Sequence, residues 1–245
     1  MFRGRGVLNQ FLCVNRNIKL LVFDMAGTTV NENGLVYKTL FDTIKDGGID
    51  IEEKEIKNWH GINKSEVIRH FVNNRYDGYK SNEDMVMSLN KNFNSSIREC
   101  YFDKESPLEL IHPNLPDTFE KLRNSGLKIA LNTGYPIDIQ EKIIENLDMS
   151  DMIDGYISSE QVNYGRPYPY MIYRLMELFS IKNSNEVIKI GDTPSDIEEG
   201  KNAKCYMSVG VMSGASNMDT YEKTNVDMVI PNANCIELLR NIYIK

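Results

Sequence analysis

The chain has 245 residues, 35 acidic against 28 basic side chains, a formal charge of −7 and a hydrophobic fraction of 41%. That is enough apolar material for one large domain, or for a core with a smaller companion. The acidic balance argues against nucleic-acid or anionic-membrane binding, and no run is long and apolar enough to span a bilayer.

Met1 to Asn17 carries arginines but no long apolar stretch, and reads as a ragged extension, not as a signal peptide. Ile18 to Phe23 reads as a buried strand, closed by Asp24 and the turn Met25-Ala26-Gly27-Thr28-Thr29. From Gly34 to Tyr101 the rhythm is helical. Val36, Leu40, Phe41 and Ile44 share one face, and Val67, Ile68, Phe71 and Val72 share another. After Pro107 and Pro113 the pattern alternates. Strands are expected at Leu127 to Leu131, Gly155 to Ser158, Val187 to Ile190 and Tyr206 to Val211, with a short edge strand at Val226 to Ile230. Helices are expected at Asp117 to Asn124, Ile137 to Leu147, Pro169 to Phe179, Ser195 to Asn202 and Asn234 to Tyr243. The expected fold is therefore α/β: a Rossmann-like, doubly wound parallel sheet with a small all-α cap domain inserted after the first strand. Residues 1–33 and 102–245 form the core of this scheme, and 34–101 form the cap, seated over Asp24 where a lid belongs. Cys13, Cys100, Cys205 and Cys235 make no CxxC pair, and read as reduced thiols of a cytoplasmic protein.

Open parallel sheets gather ligands at the C-terminal ends of their strands. Four segments fall there: Asp24 with its turn, Thr133-Gly134-Tyr135, Gly165-Arg166-Pro167, and Gly191-Asp192-Thr193-Pro194-Ser195-Asp196. Together they suit phosphoryl-type transfer. A carboxylate attacks phosphorus only if the repulsion between two anions is relieved, and Mg²⁺ relieves it through hard oxygen ligands. Asp24 and Asp192 are the candidate ligands, with the backbone carbonyl of Ala26 as a third. Thr133, the amide of Gly134 and Arg166 are candidates for holding phosphoryl oxygens. Singly, each piece also has a bland reading. Asp24 could be a turn former, Asp192 and Asp196 could be helix caps, and Arg166 could be a surface arginine.

In combination, Asp24-Met-Ala-Gly-Thr, Thr133-Gly-Tyr, Gly165-Arg-Pro-Tyr-Pro and Gly191-Asp-Thr-Pro-Ser-Asp resemble the haloacid dehalogenase-like hydrolase superfamily. Alanine at 26, where the superfamily usually has a second acid, and arginine at 166, where it usually has lysine, resemble its phosphonatase branch. The likeness runs from Ile18 to about Ser216. It implies a cytoplasmic, Mg²⁺-dependent hydrolase that cleaves the carbon–phosphorus bond of a phosphonoacetaldehyde-like phosphonate. Asp24 is its nucleophile, Asp196 orients the metal shell, and a homodimer forms through the caps. The resemblance also requires a cap lysine that forms a Schiff base with the substrate carbonyl, and Lys64 in His60-Gly61-Ile62-Asn63-Lys64 stands at the corresponding distance. Asn63 and Glu66 resemble a capping box that makes Lys64 the first helical residue, where the helix dipole disfavours an ammonium.

Ala26 is consistent with that chemistry. An ester leaves as an alkoxide, which a general acid helps. A carbon–phosphorus bond leaves as a carbanion, which needs an electron sink such as a protonated imine. Three positions depart from the branch: His60 replaces a methionine, Val67 replaces a histidine, with His70 one helical turn further on as a partial substitute, and Gly34 stands near the place of an expected cysteine. His60 is either a substrate contact or a packed histidine. The competing readings are a phosphatase of the same superfamily acting on a small phosphate monoester, with Lys64 only binding the anion, and a non-catalytic binding protein.

Overall fold

The computed structural model describes residues 18–102 and 106–237. Its frame is a six-stranded, all-parallel sheet of β1 (Leu20–Phe23), β4 (Lys128–Thr133), β5 (Gly155–Ser158), β6 (Val187–Gly191), β7 (Met207–Val211) and β8 (Met228–Ile230), in the order β5-β4-β1-β6-β7-β8. Every strand anticipated from the sequence is present, with ends shifted by a residue or two.

Both faces of the sheet are covered, so β1 reads as a continuous apolar run with all four residues buried. Leu21 and Phe23 face one layer with Phe119, Leu122 and Ile139, while Leu20 and Val22 face the other with Met171, Ile172 and Leu175. The helices that cover it are α5 (Leu115–Asn124), α6 (Ile137–Asn146), α7 (Tyr170–Leu178) and α8 (Pro194–Asn202), with the short α9 (Met218–Tyr221) near β7. The expected helix from Asn234 to Tyr243 begins as a 3-10 turn at Ala233–Ile236, and its later part lies outside the described residues, as does the N-terminal extension.

The chain leaves β1 for β4 on one side and later β6 on the other. The strand order therefore reverses about β1, and the crevice at the C-terminal ends of β4, β1 and β6 is the topological switch point of the sheet.

On the way from β1 to β4 the chain passes through α1 (Leu35–Asp46), α2 (Glu53–Ile56), α3 (Lys64–Arg75) and α4 (Asn82–Phe102), with no strand among the described residues from 35 to 102. Val36, Leu40 and Ile44 of α1 and Val67, Ile68, Phe71 and Val72 of α3 are buried as their spacing implies, and Phe41 is half-buried. One pairing escapes the sequence patterns. Val30–Asn31 (β2) and Glu109–Leu110 (β3) form a two-residue antiparallel ribbon that ties the two chain crossings into the helical segment side by side. Two residues are too few for any alternation to show.

Candidate active site

Asp24 is the first residue past β1, and its amide still donates to the Ile190 carbonyl of β6 (2.9 Å). The next turn is wound around one acceptor: the amides of Thr28, Thr29 and Val30 all donate to the Met25 carbonyl. The bridge between Ala26 and Val30 uses the Met25 carbonyl and the Gly27 amide, which leaves the Ala26 carbonyl outside the turn's hydrogen bonds. Gly27 has φ +75°, and a Cβ there would meet Asp192 Oδ2 at 2.6 Å. A side chain at 27 would both strain the backbone and fill the space beside Asp192.

Carboxylate oxygens of Asp24, Asp192 and Asp196 lie within 4.8 Å of one another, all buried. Their surroundings differ. Asp196 closes a capping box with Thr193 at the start of α8, its Oδ2 accepting from the Thr193 amide and hydroxyl. Its Oδ1 accepts from Lys189 Nζ at 2.6 Å. Burial pushes the Asp196 carboxyl up, and Arg166 and Lys189 together more than reverse this, leaving it below the ordinary value. Asp192 is no cap. It accepts from the Ala215 amide (2.7 Å) and, at 3.4 Å, from Thr28 Oγ1. Burial, with the charges of Asp24 and Asp196, holds its carboxyl well above the usual range. Asp24 is also raised, by burial first and against the pull of Arg166. Two buried carboxyls, of which Asp192 has no ion pair among the described residues, next to a carbonyl outside the turn's hydrogen bonds, are a hard donor set that fits a small divalent cation.

Arg166 is buried beneath this cluster. Its Nη2 lies 2.7 Å from Asp24 Oδ1 and also donates to the backbone and side-chain oxygens of Asn132. Its Nε faces Asp196 Oδ1 at 3.1 Å and Glu199 Oε2 at 3.2 Å. Nη1 makes one long contact, 3.5 Å, to the Gly61 carbonyl. The guanidinium is thus shared among Asp24, Asn132, Asp196 and Glu199, and Nη1 is its least engaged nitrogen. Lys189, Glu199 and Asn132 complete the cluster and were not singled out from the sequence. A signal was present for two of them. Lys189 is a lysine inside the apolar strand Val187–Gly191, and Glu199 is one helical turn after Asp196.

Lys64 begins α3, with Asn63 as N-cap accepting from the amides of Ser65 and Glu66. Glu66 does not return a bond to the Asn63 amide, so the expected box is half made. Lys64 is 6% exposed. Its Nζ donates to the Ile62 carbonyl at 3.0 Å and lies 5.0 Å from the centre of the Tyr37 ring. Burial lowers the ammonium to about 8, against the opposing charge of Asp24. Desolvation is the largest cause of this shift, whose direction is the one expected from the sequence. The His60 ring stacks on Tyr37 at 3.7 Å, and burial, with Lys64 and Lys57 nearby, lowers the imidazole to about 4. Tyr37 carried no motif, yet its ring contacts both His60 and Lys64. His70 lies against Trp59 and contacts Asn74, and does not join this group.

The loop bearing His60 and Gly61 is seated on the sheet edge. Ser195 Oγ donates to the His60 carbonyl, and Asn63 Nδ2 donates to Ser159 Oγ at 2.7 Å. Gly61, at φ +78°, permits this approach, since a Cβ there would meet Ser195 Oγ at 2.1 Å. Thr133 Oγ1 accepts from the Tyr135 amide, which leaves its own hydrogen to donate outward. Tyr135 Oη shares a 2.8 Å hydrogen bond with Tyr101 Oη, and Tyr101 donates to buried Glu32. Glu32 also accepts from the Gly34 and Val36 amides. One carboxylate thus fastens the start of α1 to the end of α4, and hydroxyls carry the connection to the Thr133 loop.

A buried aspartate at the switch point, faced by two further acids and an arginine under a helical segment, defines the class. The family model described as haloacid dehalogenase-like hydrolase matches residues 21–209, and the chain belongs to that family. Within it, the chain is 30% identical over 217 residues to a phosphonoacetaldehyde hydrolase of Lysinibacillus sphaericus, covering 84% of this chain and 79% of that protein. It is 32% identical over 211 residues to a bifunctional phosphonoacetaldehyde hydrolase/aminoethylphosphonate transaminase of Clostridioides difficile, covering 82% of this chain but only 32% of that longer protein. The fold matches the crystal structure of a phosphonoacetaldehyde hydrolase-like protein from Oleispira antarctica with a TM-score of 0.74, at 22% identity and 93% coverage of both chains. No helix among the described residues is long and apolar enough to cross a membrane.

Proposed function

We propose that this chain hydrolyses the carbon–phosphorus bond of a phosphonoacetaldehyde-like phosphonate, using Asp24 as nucleophile and an imine on Lys64, with residues 34–101 as the cap. The observation that carries this reading is Lys64. It is a buried lysine with its ammonium lowered to about 8, close enough to Asp24 for their charges to interact. An anion-binding lysine needs no such shift, whereas an imine-forming one does.

The Lys64 amine adds to the substrate carbonyl and water leaves, giving a protonated imine. An oxygen of Asp24 attacks phosphorus. The carbon–phosphorus electron pair moves into the carbon chain and neutralises the iminium, so the leaving group is an enamine and no acid is needed at position 26. Water then hydrolyses the aspartyl phosphate, and the enamine takes a proton on carbon before water frees Lys64. Thr133, the Gly134 amide and Arg166 Nη1 hold the phosphoryl oxygens. Asp24, Asp192 and the Ala26 carbonyl hold Mg²⁺, which when bound offsets the negative charge on the nucleophile and the phosphonate.

Borohydride trapping with phosphonoacetaldehyde tests the reading. A reduced adduct on Lys64, located by peptide mass spectrometry, together with phosphate release, is expected. No adduct, with brisk hydrolysis of phosphate monoesters by Lys64→Ala, would establish the phosphatase instead.

A further inference from the structure

Beside its phosphonomethyl group, the carbonyl carbon of phosphonoacetaldehyde carries only hydrogen, so the imine site needs no room on that side. This protein has room. A cavity of about 270 Å³ opens between α3, α4 and the loop after β4, and both Lys64 and Gly134 are in its wall. The two are neighbours. The Ile62 carbonyl accepts from Lys64 Nζ at 3.0 Å, and the same oxygen lies 3.2 Å from where a Gly134 Cβ would stand. The cavity thus borders Lys64, whose amine would hold the carbonyl carbon, and the loop that would hold the phosphoryl group.

The rest of the wall is shared by the start of α3, with Ser65 and Arg69, by Pro136 and Glu160, and by α4. Phe93 is buried and apolar, while Asn90 and Asn94, one helical turn apart, are half-buried and polar. Asn90 Nδ2 donates to the Val86 carbonyl at 2.9 Å, which directs that amide hydrogen inward along the helix and leaves Oδ1 as an acceptor. A space with an apolar patch at Phe93 and Val86, bordered by amide and charged side chains, suits a short carbon chain with a hydrogen-bond donor on it.

Building on the phosphonatase reading, we infer that the substrate class is the 2-oxoalkylphosphonates, ketones whose substituent occupies this cavity. The chemistry balances as for the aldehyde. The Lys64 nitrogen bonds to the ketone carbon with loss of water, and the carbon–phosphorus bond breaks toward that carbon as the phosphoryl group passes to Asp24. Two waters then release inorganic phosphate and a methyl ketone.

The test compares phosphate release from phosphonoacetaldehyde, 2-oxobutylphosphonate and 4-hydroxy-2-oxobutylphosphonate, with borohydride trapping of Lys64 by each. The expected result is a kcat/KM for both ketones within roughly tenfold of the aldehyde or above it, with the hydroxylated ketone preferred. Asn90→Phe, and independently Asn94→Phe, should fill the cavity and cut ketone turnover by about tenfold or more, leaving the aldehyde within about threefold. Circular dichroism confirms that each variant is folded. Turnover of the aldehyde with ketones about a thousandfold poorer overturns the inference and leaves the phosphonatase reading standing. An equal loss for aldehyde and ketones in both variants does the same, by making the cavity an entry path. Failure of all three compounds to release phosphate or trap Lys64 removes the parent reading, and this inference with it.

Discussion

Arg166 Nη2 lies 2.7 Å from Asp24 Oδ1, with both side chains almost wholly buried. The guanidinium fixes which oxygen of Asp24 is engaged, and Asp196 and Glu199 fix the guanidinium in turn. Lysine offers no planar fork with which to reproduce this. Arg166→Lys is expected to lower kcat on phosphonoacetaldehyde by roughly a hundredfold or more. Arg166→Ala, which strands buried carboxylates, is expected to cost about 3–5 kcal/mol of stability. Steady-state kinetics and urea denaturation measure the two effects.

Lys64 titrates at about 8 because it is buried. An imine forms from the neutral amine, so kcat/KM on phosphonoacetaldehyde is expected to rise with pH to about 8 and then level off. The sign for stability follows from linkage. Between about 8 and the ordinary 10.5 the unfolded chain holds a proton that the folded chain has released, so folding stability climbs with pH across that window. Lys64→Met is expected to abolish trapping, remove that climb and be more stable than the wild type at neutral pH. A rate profile and denaturation at several pH values check this.

Burial, with the charges of Asp24 and Asp196, disfavours a negative charge on Asp192, and no ion pair reaches it among the described residues. Mg²⁺ is expected to raise the melting temperature, with a gain of about 2.7 kcal/mol at a hundred times its dissociation constant. Asp192→Asn should be more stable than the wild type in EDTA and should lose the Mg²⁺ response. Thermal melts with and without the ion decide this.

Gly61 meets the sheet edge with no room for a methyl group. Gly61→Ala is expected to keep the fold yet hold the 59–63 loop off Thr193 and Ser195, lowering kcat/KM on phosphonoacetaldehyde by roughly tenfold or more. The single tryptophan, Trp59, is two residues away, and its emission should shift in the variant.

Tyr101→Phe removes the hydroxyl that joins Glu32 to Tyr135. Leaving those buried partners short of a hydrogen bond is expected to cost about 1–3 kcal/mol. The loosened Thr133 loop should appear as a higher KM for phosphonoacetaldehyde, with a smaller change in kcat. Denaturation and kinetics on the same preparation separate the two effects.

Some of this was legible in the chain because it is local. The apolar run ending in Asp24, the strand–helix alternation and the helical stretch over 34–101 follow from side-chain period. Asn63 as N-cap of α3 is equally local, and so is Ala26 where a second acid would stand. The division of labour between Asp192 and Asp196 was not legible. Both follow β6 and both could cap a helix, and only their opposite partners, Ala215 for one and Lys189 with Thr193 for the other, separate them.

The sequence by itself determined the sheet, the order of its strands along the chain and the residue types at their C-terminal ends, since these depend on near neighbours in the chain. Tertiary structure alone decided how charge is arranged there. Arg166 turns inward to Asp24, Lys189 and Glu199 lie under the site, and burial lowers the Lys64 ammonium. Desolvation and Coulomb interactions depend on distances between residues far apart in the chain, and no spacing along one segment encodes them.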